Sequence, residues 1–320
     1  MAGTTKNISF RFWKNEYSQQ IVTLRNQIEK EISGLQTSVE EFEDQYGHPG
    51  WNPEKNLELA FIDDTLVGMF DVWIDSYADG PRATVSIYVH KLYRRKGIAT
   101  LLLKRGLNRI PDNINRIDIG VPSKAEALKK YVTNLNMQVL SSTAVMRLEV
   151  KTTYPKPKAP GDLSLLAYNK GINTHEEFRV LHNDTFTVVP NWRPITREAM
   201  DYYVNSDWFD PGKLLFVSEK SSNKLLGWIW YSEELNPDSK VYFIESFGVA
   251  KSHQRKGIGT YLLQNIIYEA MKEKVNLIEL NVEHDNKVAL GMYERMGFYT
   301  IRYTEWYSGK RTTLINQLTD

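Results

Sequence analysis

A mixed α/β (α+β) fold built from two similar halves is what this sequence predicts, on three observations. The run Arg94–Leu103 (RRKGIATLLL) returns 160 residues later as Gln254–Leu263 (QRKGIGTYLL), with seven of ten positions identical. Each copy stands between an apolar strand-like run and a run with helical apolar spacing. A Pro- and Lys-rich stretch, 151–161, lies between the halves. One [QR]xxGx[GA] pattern arises by chance about 0.3 times in a chain of this length. Two copies in register are a different matter. Leu66–Gly68 also matches Leu225–Gly227 at an offset of 159, and Val89 matches Val249 at 160. The sequence therefore reads as a duplicated domain.

The second half gives the element order. Leu163–Ala167 reads as a short strand, Thr174–Asn183 as a helix, and Ile195–Val204 as a second helix opened by Pro194. Leu214–Val217 and Leu225–Tyr231 are strands separated by the turn residues Ser221, Ser222 and Asn223. Val241–Val249 is a longer strand. Ile258–Met271 carries apolar residues at 258, 262, 263, 266, 267 and 270, the spacing of one helix face. Leu277–Val282 is a strand and Val288–Arg295 a helix, with two C-terminal strands expected after it. In Lys151–Gly161 the prolines 155, 157 and 160 deny ladder donors and favour polyproline II, giving a semi-rigid linker, with a Pro-rich edge strand as the alternative. The domains are thus expected at 1–150 and 162–320.

Composition excludes several functions. Forty Lys+Arg against 39 Asp+Glu leave a net charge of +1, which gives no bulk field for nucleic acid or anionic lipid. Zero cysteines exclude disulfides, a thiolate nucleophile and Cys-ligated metals. The six His, at 48, 90, 175, 182, 253 and 284, show no metal-binding spacing, so no metal is expected. No apolar run has membrane-spanning length, and the first residues lack a signal-peptide core, so a cytoplasmic protein is expected.

The strand–loop–helix around the repeat has a physical use. Gly257 and Gly259 let backbone approach a ligand closely. The N–H groups that follow belong to a helix start, where they lack internal partners and carry the positive dipole end. That is an anion site suited to a pyrophosphate, and Arg255 and Lys256 add charge. It is neither a Walker A loop nor GxGxxG.

Val249…Gln254-Arg255-Lys256-Gly257-Ile258-Gly259, followed by Asn286…Ala289…Tyr293…Gly297-Phe298, resembles the GNAT superfamily of acyl-CoA-dependent N-acyltransferases. The resemblance covers nearly all of residues 162–308, and the first half resembles a second such unit. A tandem arrangement with Trp208–Pro211 looks like the mycothiol synthase branch. The resemblance implies two domains, each with a mixed, mostly antiparallel central sheet flanked by helices. It implies acetyl-CoA as cofactor, held by Val249, Ala250, Gln254, Arg255, Lys256, Gly257, Ile258, Gly259 and Thr260, with Asn286 on the pantetheine arm. Asn286 could instead be a helix N-cap. Tyr293 takes the place of the family's usual general acid, or else covers the core.

For the base, Glu245 is the strongest candidate. It lies four residues before Val249, so an unbroken strand would put both on one face, and a carboxylate in this apolar run should be buried. A Glu paired to a basic neighbour is the alternative. His253 and His284 flank the motifs and read as loop-exposed. Aromatics at Trp192, Tyr202, Tyr203, Trp208, Phe209, Trp228, Trp230 and Tyr231 either wall the acceptor site or serve packing.

The first half keeps a possible second cofactor loop: Val89, Arg94, Arg95, Lys96, Gly97, Ile98, Ala99 and Thr100. Matching Asn136-Met137 to Gly297-Phe298 puts Ala125 opposite Asn286 and Val132 opposite Tyr293, with Tyr131 one residue away. The first domain is therefore expected to be degenerate, and the second to be the enzyme. The expected reaction is acetyl transfer from acetyl-CoA to a primary amine, small molecule or peptide, by direct attack. The alternative is a non-catalytic acyl-CoA-binding protein. Partners beyond substrate are expected to be none (no nucleic acid, no membrane), in a monomer with internal pseudo-symmetry or a homodimer.

Overall fold

The computed structural model describes residues 8–32, 34, 36–46, 51–77, 80–169, 175–187, 194–236 and 239–318. The chain forms two compact units, one of residues 1–142 with 304–320, the other of residues 143–303. The first unit holds β1 (Ile8–Phe12), α1 (Ser18–Ile32), α2 (Val39–Tyr46), α3 (Pro53–Asn56), β2 (Leu57–Ile62), β3 (Thr65–Tyr77), β4 (Gly80–Val89), α4 (Ile98–Leu107), β5 (Arg116–Pro122), α5 (Glu126–Asn134) and the start of β6 (Gln138–Glu149). The second unit holds the rest of β6, then β7 (Leu163–Ala167), α6 (His175–Phe186), α7 (Arg197–Asn205), β8 (Leu214–Glu219), β9 (Leu225–Asn236) and β10 (Ser239–Val249). It continues with α8 (Ile258–Lys272), β11 (Leu277–Glu283), α9 (Lys287–Arg295) and the first part of β12 (Tyr299–Lys310), whereas the end of β12 and α10 (Arg311–Gln317) belong to the first unit.

Both units repeat one pattern. Strands β1 to β4 pair antiparallel in sequence order, as do β7 to β10. Then β4 pairs with β5, and β10 with β11, in parallel. This is the mixed, mostly antiparallel sheet flanked by helices that the sequence predicts.

The boundary expected at 150–162 falls inside the second unit. Residues 143–149 of β6 pair antiparallel with β11 and bury Ala144, Met146 and Leu148 in the second core. Residues 304–310 of β12 pair with β5, and Tyr307 and Leu314 join the first core. Each unit thus takes its last strand from the other half of the sequence. The C-terminus is also one long strand and a helix rather than two strands.

The helices follow their apolar faces. On α8, Ile258, Leu262, Leu263, Ile266, Ile267 and Ala270 are buried against one face of the second sheet. The other face is covered by α6 and α7 through Phe178, Met200 and Val204, which meet Phe216 and Trp228. Trp228 lies flat across β10, where a Cβ at Gly248 would stand 2.3 Å from its ring, so only glycine fits there. Burying these groups is the main stabilising term, at roughly 25 cal/mol per Å² of apolar surface.

Candidate functional site

In the second unit, ladder pairing between β10 and β11 runs only from Val241/Leu277 to Ile244/Leu280. Beyond it the strands part and leave a notch. Alternation in the β9–β10 ladder fixes the amides. Ala250 N–H donates to Leu226 O at 2.8 Å. Residues 248 and 246 therefore also face β9, and the N–H groups of Phe247 and Val249 face the notch. The Ala250 amide is committed to the ladder.

At the notch the chain turns through Lys251–His253 into the Gly loop. Gln254 Nε2 reaches back to Val249 O at 3.1 Å, tying the loop to the strand end. Arg255 has φ +60° and Gly257 +81°. This left-handed step suits glycine at 257 and starts α8 so that its first N–H groups point out of the loop. The side chains of Arg255 and Lys256 are exposed. The cradle has room: a Cβ at Gly257 meets nothing closer than Pro160, at 3.8 Å. Free amides, a positive dipole end and two cations suit a pyrophosphate.

Asn286 caps α9, accepting from Ala289 N–H at 3.1 Å. The cap reading holds, and the residue is exposed three positions past the end of β11. Tyr293, one face further along α9, is buried against Phe247 and Phe298, with ring centroids 6.3 and 5.8 Å away. Burial raises its pKa, so the phenol keeps its proton.

Glu245 departs from the sequence reading in two ways. A β-bulge between Ile244 and Ser246 reverses the alternation. Ile244, Phe247 and Val249 pack on the α8 side, whereas Ser246 holds Trp228 Nε1 at 3.0 Å on the α6–α7 side. Glu245 accepts from Ser232 Oγ at 2.7 Å, beside Trp230 on β9. It therefore faces the α6–α7 side, opposite Val249. The residue is also exposed rather than buried. Water reaches it, yet protein on most sides raises its pKa, and the Ser232 bond opposes that rise.

Around Glu245 the aromatics assemble as a wall. Trp208, 46% exposed, stacks on Trp230 at 6.1 Å and 11°. Tyr203 and Phe209 meet Trp230 at 5.7 and 5.8 Å, and Tyr203 touches Tyr202. Trp228 is buried there too, but Tyr231 points into the α8 core against Tyr242. Trp192 lies outside the described residues. His182, passed over in the sequence as one of six scattered histidines, is buried against Trp228 and Phe186, at 5.3 and 4.7 Å. Its place on the buried face of α6, four residues after Phe178, was the available signal. Burial lowers its pKa to about 4. His253 and His284 do not face Glu245; they neighbour Ser252 and Tyr303.

The first unit reproduces the loop in detail. Arg94 Nε bonds Val89 O at 3.0 Å, Arg95 has φ +62° and Gly97 has +78°. Strand β4 parts from β5 after Val85/Ile119. It does not reproduce the proton chemistry. Helices α5 and α9 each run nine residues and start 161 apart, so no slip occurs in the match. Ala125 caps α5 with no side-chain bond, and Val132 is wholly buried in the place of Tyr293. Nor does β4 carry a bulge.

Comparison with known proteins agrees with this geometry. The profile of the Acetyltransferase (GNAT) family matches residues 25–127 and again 176–298. The chain belongs to the GNAT acetyltransferase family. It is 27% identical over 244 residues to a mycothiol acetyltransferase of Mycolicibacterium smegmatis, covering 75% of this chain and 79% of that one. It is 26% identical to another of Paenarthrobacter aurescens, covering 77% and 75%. Among solved structures, a tandem GNAT protein from the clavulanic acid biosynthesis pathway shares the fold, with a TM-score of 0.74, 12% identity and coverage of 95% and 99%. A GNAT protein of Sphaerobacter thermophilus scores 0.72 at 18% identity, with coverage of 95% and 96%. As a tandem GNAT chain, the protein carries the left-handed Arg-Lys-Gly loop twice and the Asn–Tyr helix once. No helix among the described residues is long and apolar enough to cross a membrane. Among the same residues no group of three His, Cys, Asp or Glu could hold a metal.

Proposed function

We propose that the second unit transfers an acetyl group from acetyl-CoA to a primary amine by direct attack, and that the first unit holds acyl-CoA without turning it over. One observation carries this reading. Two loops share one backbone geometry, but only the second is followed by Asn286 and Tyr293 across the notch from a bulge carrying Glu245. When bound, the thioester supplies the electrophilic carbonyl.

The residues divide the remaining work. Loop amides from Arg255 to Thr260, with Arg255 and Lys256, hold the pyrophosphate. The Asn286 amide lies beside the pantetheine path. The N–H groups of Phe247 and Val249, fixed by the ladder, stabilise charge on the carbonyl oxygen, worth about 3 kcal/mol in comparable sites. Tyr293, kept protonated by burial, donates to the leaving sulfur. Glu245, its pKa raised, takes the ammonium proton directly or through one water. The Trp208–Trp230 stack gives the acceptor a flat apolar rest next to that carboxylate. The relatives reported above carry the name mycothiol acetyltransferase, which supports a small-molecule acceptor. A cytoplasmic location fits this chemistry.

The test is a matched pair of loop variants, Gly97→Glu and Gly257→Glu, assayed for acetyl transfer over a panel of amines. A glutamate at either φ-positive position strains the turn and sets a like charge where a phosphate would sit. Activity is expected to vanish in Gly257→Glu and to persist in Gly97→Glu. Equal loss in both would mean two working sites. CoA binding with no release of thiol from any amine would make the second unit a binding module as well.

A further inference from the structure

The face of the first sheet beneath α1 carries charged groups that neither the Gly loop nor the proton chemistry uses. Ladder register says where they stand. Gly68 pairs with Val89 as Gly227 pairs with Val249, and Asp71 pairs with Ser86 as Trp230 pairs with Ser246. Asp71 therefore holds the position of Trp230, and Tyr88 that of Gly248. Where the second unit sets an aromatic wall beside Glu245, the first unit sets a charged pocket. Asp71 and Tyr88 are diagonal neighbours on one face of β3 and β4. Arg25 and Glu29, one turn apart on α1, meet them. The Arg25 guanidinium lies 5.8 Å from the Phe42 ring centre and 5.9 Å from that of Tyr88. Tyr88 Oη donates to Glu29 Oε1 at 3.2 Å.

Two atoms of this pocket are left over. Asp71 Oδ1 and Arg25 Nε are both closed to solvent, and neither has a hydrogen-bond partner among the described residues. The two side chains are near enough for their charges to act on each other. Burial pushes the Asp71 carboxyl up to about 7, and Arg25 is the leading influence against that rise, ahead of the Trp51 and Trp73 indoles. Yet Oδ1 and Nε–H do not meet. A buried acceptor and a buried donor that stay apart are costly unless something joins them. Beside the carboxyl, Trp51 and Trp73 stack at 5.2 Å and 10°. Trp51 is buried and Trp73 half-buried, so the stack offers indole surface on the Trp73 side.

The geometry points to a ligand site in the first unit for an aromatic α-amino acid, its ammonium donating to Asp71 Oδ1, its carboxylate accepting from Arg25 Nε–H, and its ring resting on Trp73. The zwitterion is the group that satisfies both leftover atoms. A carboxylate alone would face Asp71 and Glu29, and an amine alone would leave Arg25 Nε unmet. The site stands independently of the acetyl-transfer reading, because no bond forms or breaks in it and every residue belongs to the first unit.

The experiment is calorimetric titration of the intact chain with L-phenylalanine, phenethylamine and 3-phenylpropanoate, the last two lacking the carboxylate and the ammonium. L-Phenylalanine is expected to bind at least about ten-fold more tightly than either. Asp71→Asn should weaken it by about ten-fold or more, yet melt at or above the parent's temperature at pH about 8, since a buried unpaired carboxylate is gone. Arg25→Gln should weaken L-phenylalanine and leave phenethylamine unchanged. A parent chain that gives no heat with L-phenylalanine overturns the proposal and leaves the gap to water. Equal binding of phenethylamine overturns it too, by removing Arg25 from the site. So does an Asp71→Asn chain that binds as the parent does, or that melts lower, which would make the carboxyl a structural group. Loss of binding in Glu245→Gln instead would place the amine in the second unit and overturn it as well.

Discussion

Glu245 and Tyr293, the proton carriers of the proposed reaction, both have raised pKa values: Tyr293 because it is buried, Glu245 because protein surrounds most of a carboxylate that water still reaches. The consequences are opposite. A raised phenol pKa keeps the acid loaded, whereas a raised carboxyl pKa makes a stronger base that is lost sooner as pH falls. Tyr293→Phe is expected to slow turnover by roughly 10²–10⁴-fold while calorimetry shows CoA binding nearly intact, since only the transferable proton is gone. Glu245 works only when ionised, so the parent's rate should fall through an acidic limb placed above the usual carboxylate range. In Glu245→Gln that limb should disappear from the pH–rate profile, with the residual rate flat there. An unchanged limb would assign the base elsewhere. The carboxylate itself was legible as a polar residue in an apolar run. Its direction was not, because the bulge after Ile244 that turns it toward Trp230 leaves no mark in the residue pattern.

Helix α6 shows how an element hides a titrating group. His182 sits on its inner face, Nδ1 3.4 Å from Asn183 Oδ1, with Phe178, Phe186 and Trp228 around the ring. Its folded pKa is depressed to about 4, from an ordinary value near 6.5. The unfolded chain therefore binds the proton first. Stability is fully present above pH 6.5 and is lost as pH falls from there toward 4, by about 3 kcal/mol in all. Denaturant melts at stepped pH should show this slope in the parent. In His182→Phe, which keeps the aromatic contacts, the slope between pH 6.5 and 4 should shrink by that amount. The helix was expected at Thr174–Asn183 and runs from His175 to Phe186. Which polar residue its inner face would bury depended on Trp228, more than 40 residues away in sequence and lying flat over Gly248.

For the whole molecule, the exchange of last strands sets what can be cut apart. A fragment of residues 162–320 keeps the motifs but lacks the 143–149 strand that covers β11 and supplies Met146 and Leu148 to the core. It exposes an edge and leaves residues 304–310 without β5. Expressed alone it is expected to aggregate or to melt without cooperativity. A fragment of residues 143–303, the compact unit, should show a single cooperative transition in calorimetry. If 162–320 melts as sharply, the strand from β6 is dispensable.

The sequence by itself determined the duplication, the family, the strand–loop–helix and the loss of Asn and Tyr from the first half. These are local matters. A left-handed glycine, an amphipathic helix and a cap are specified within a few residues, and a repeat at fixed offset copies them whole. Only the tertiary structure decided which half each terminal strand completes, because strand pairing is chosen by register and apolar fit with a distant partner. It alone turned Glu245 away from Val249, since one extra residue in a ladder reverses every side chain beyond it. And it alone laid the Pro-rich 151–161 segment along α8, with Tyr154 against Met271 and Pro160 beside Gly257. The prolines fixed its stiffness, but where a stiff segment lies is settled by the surface its half-buried residues meet.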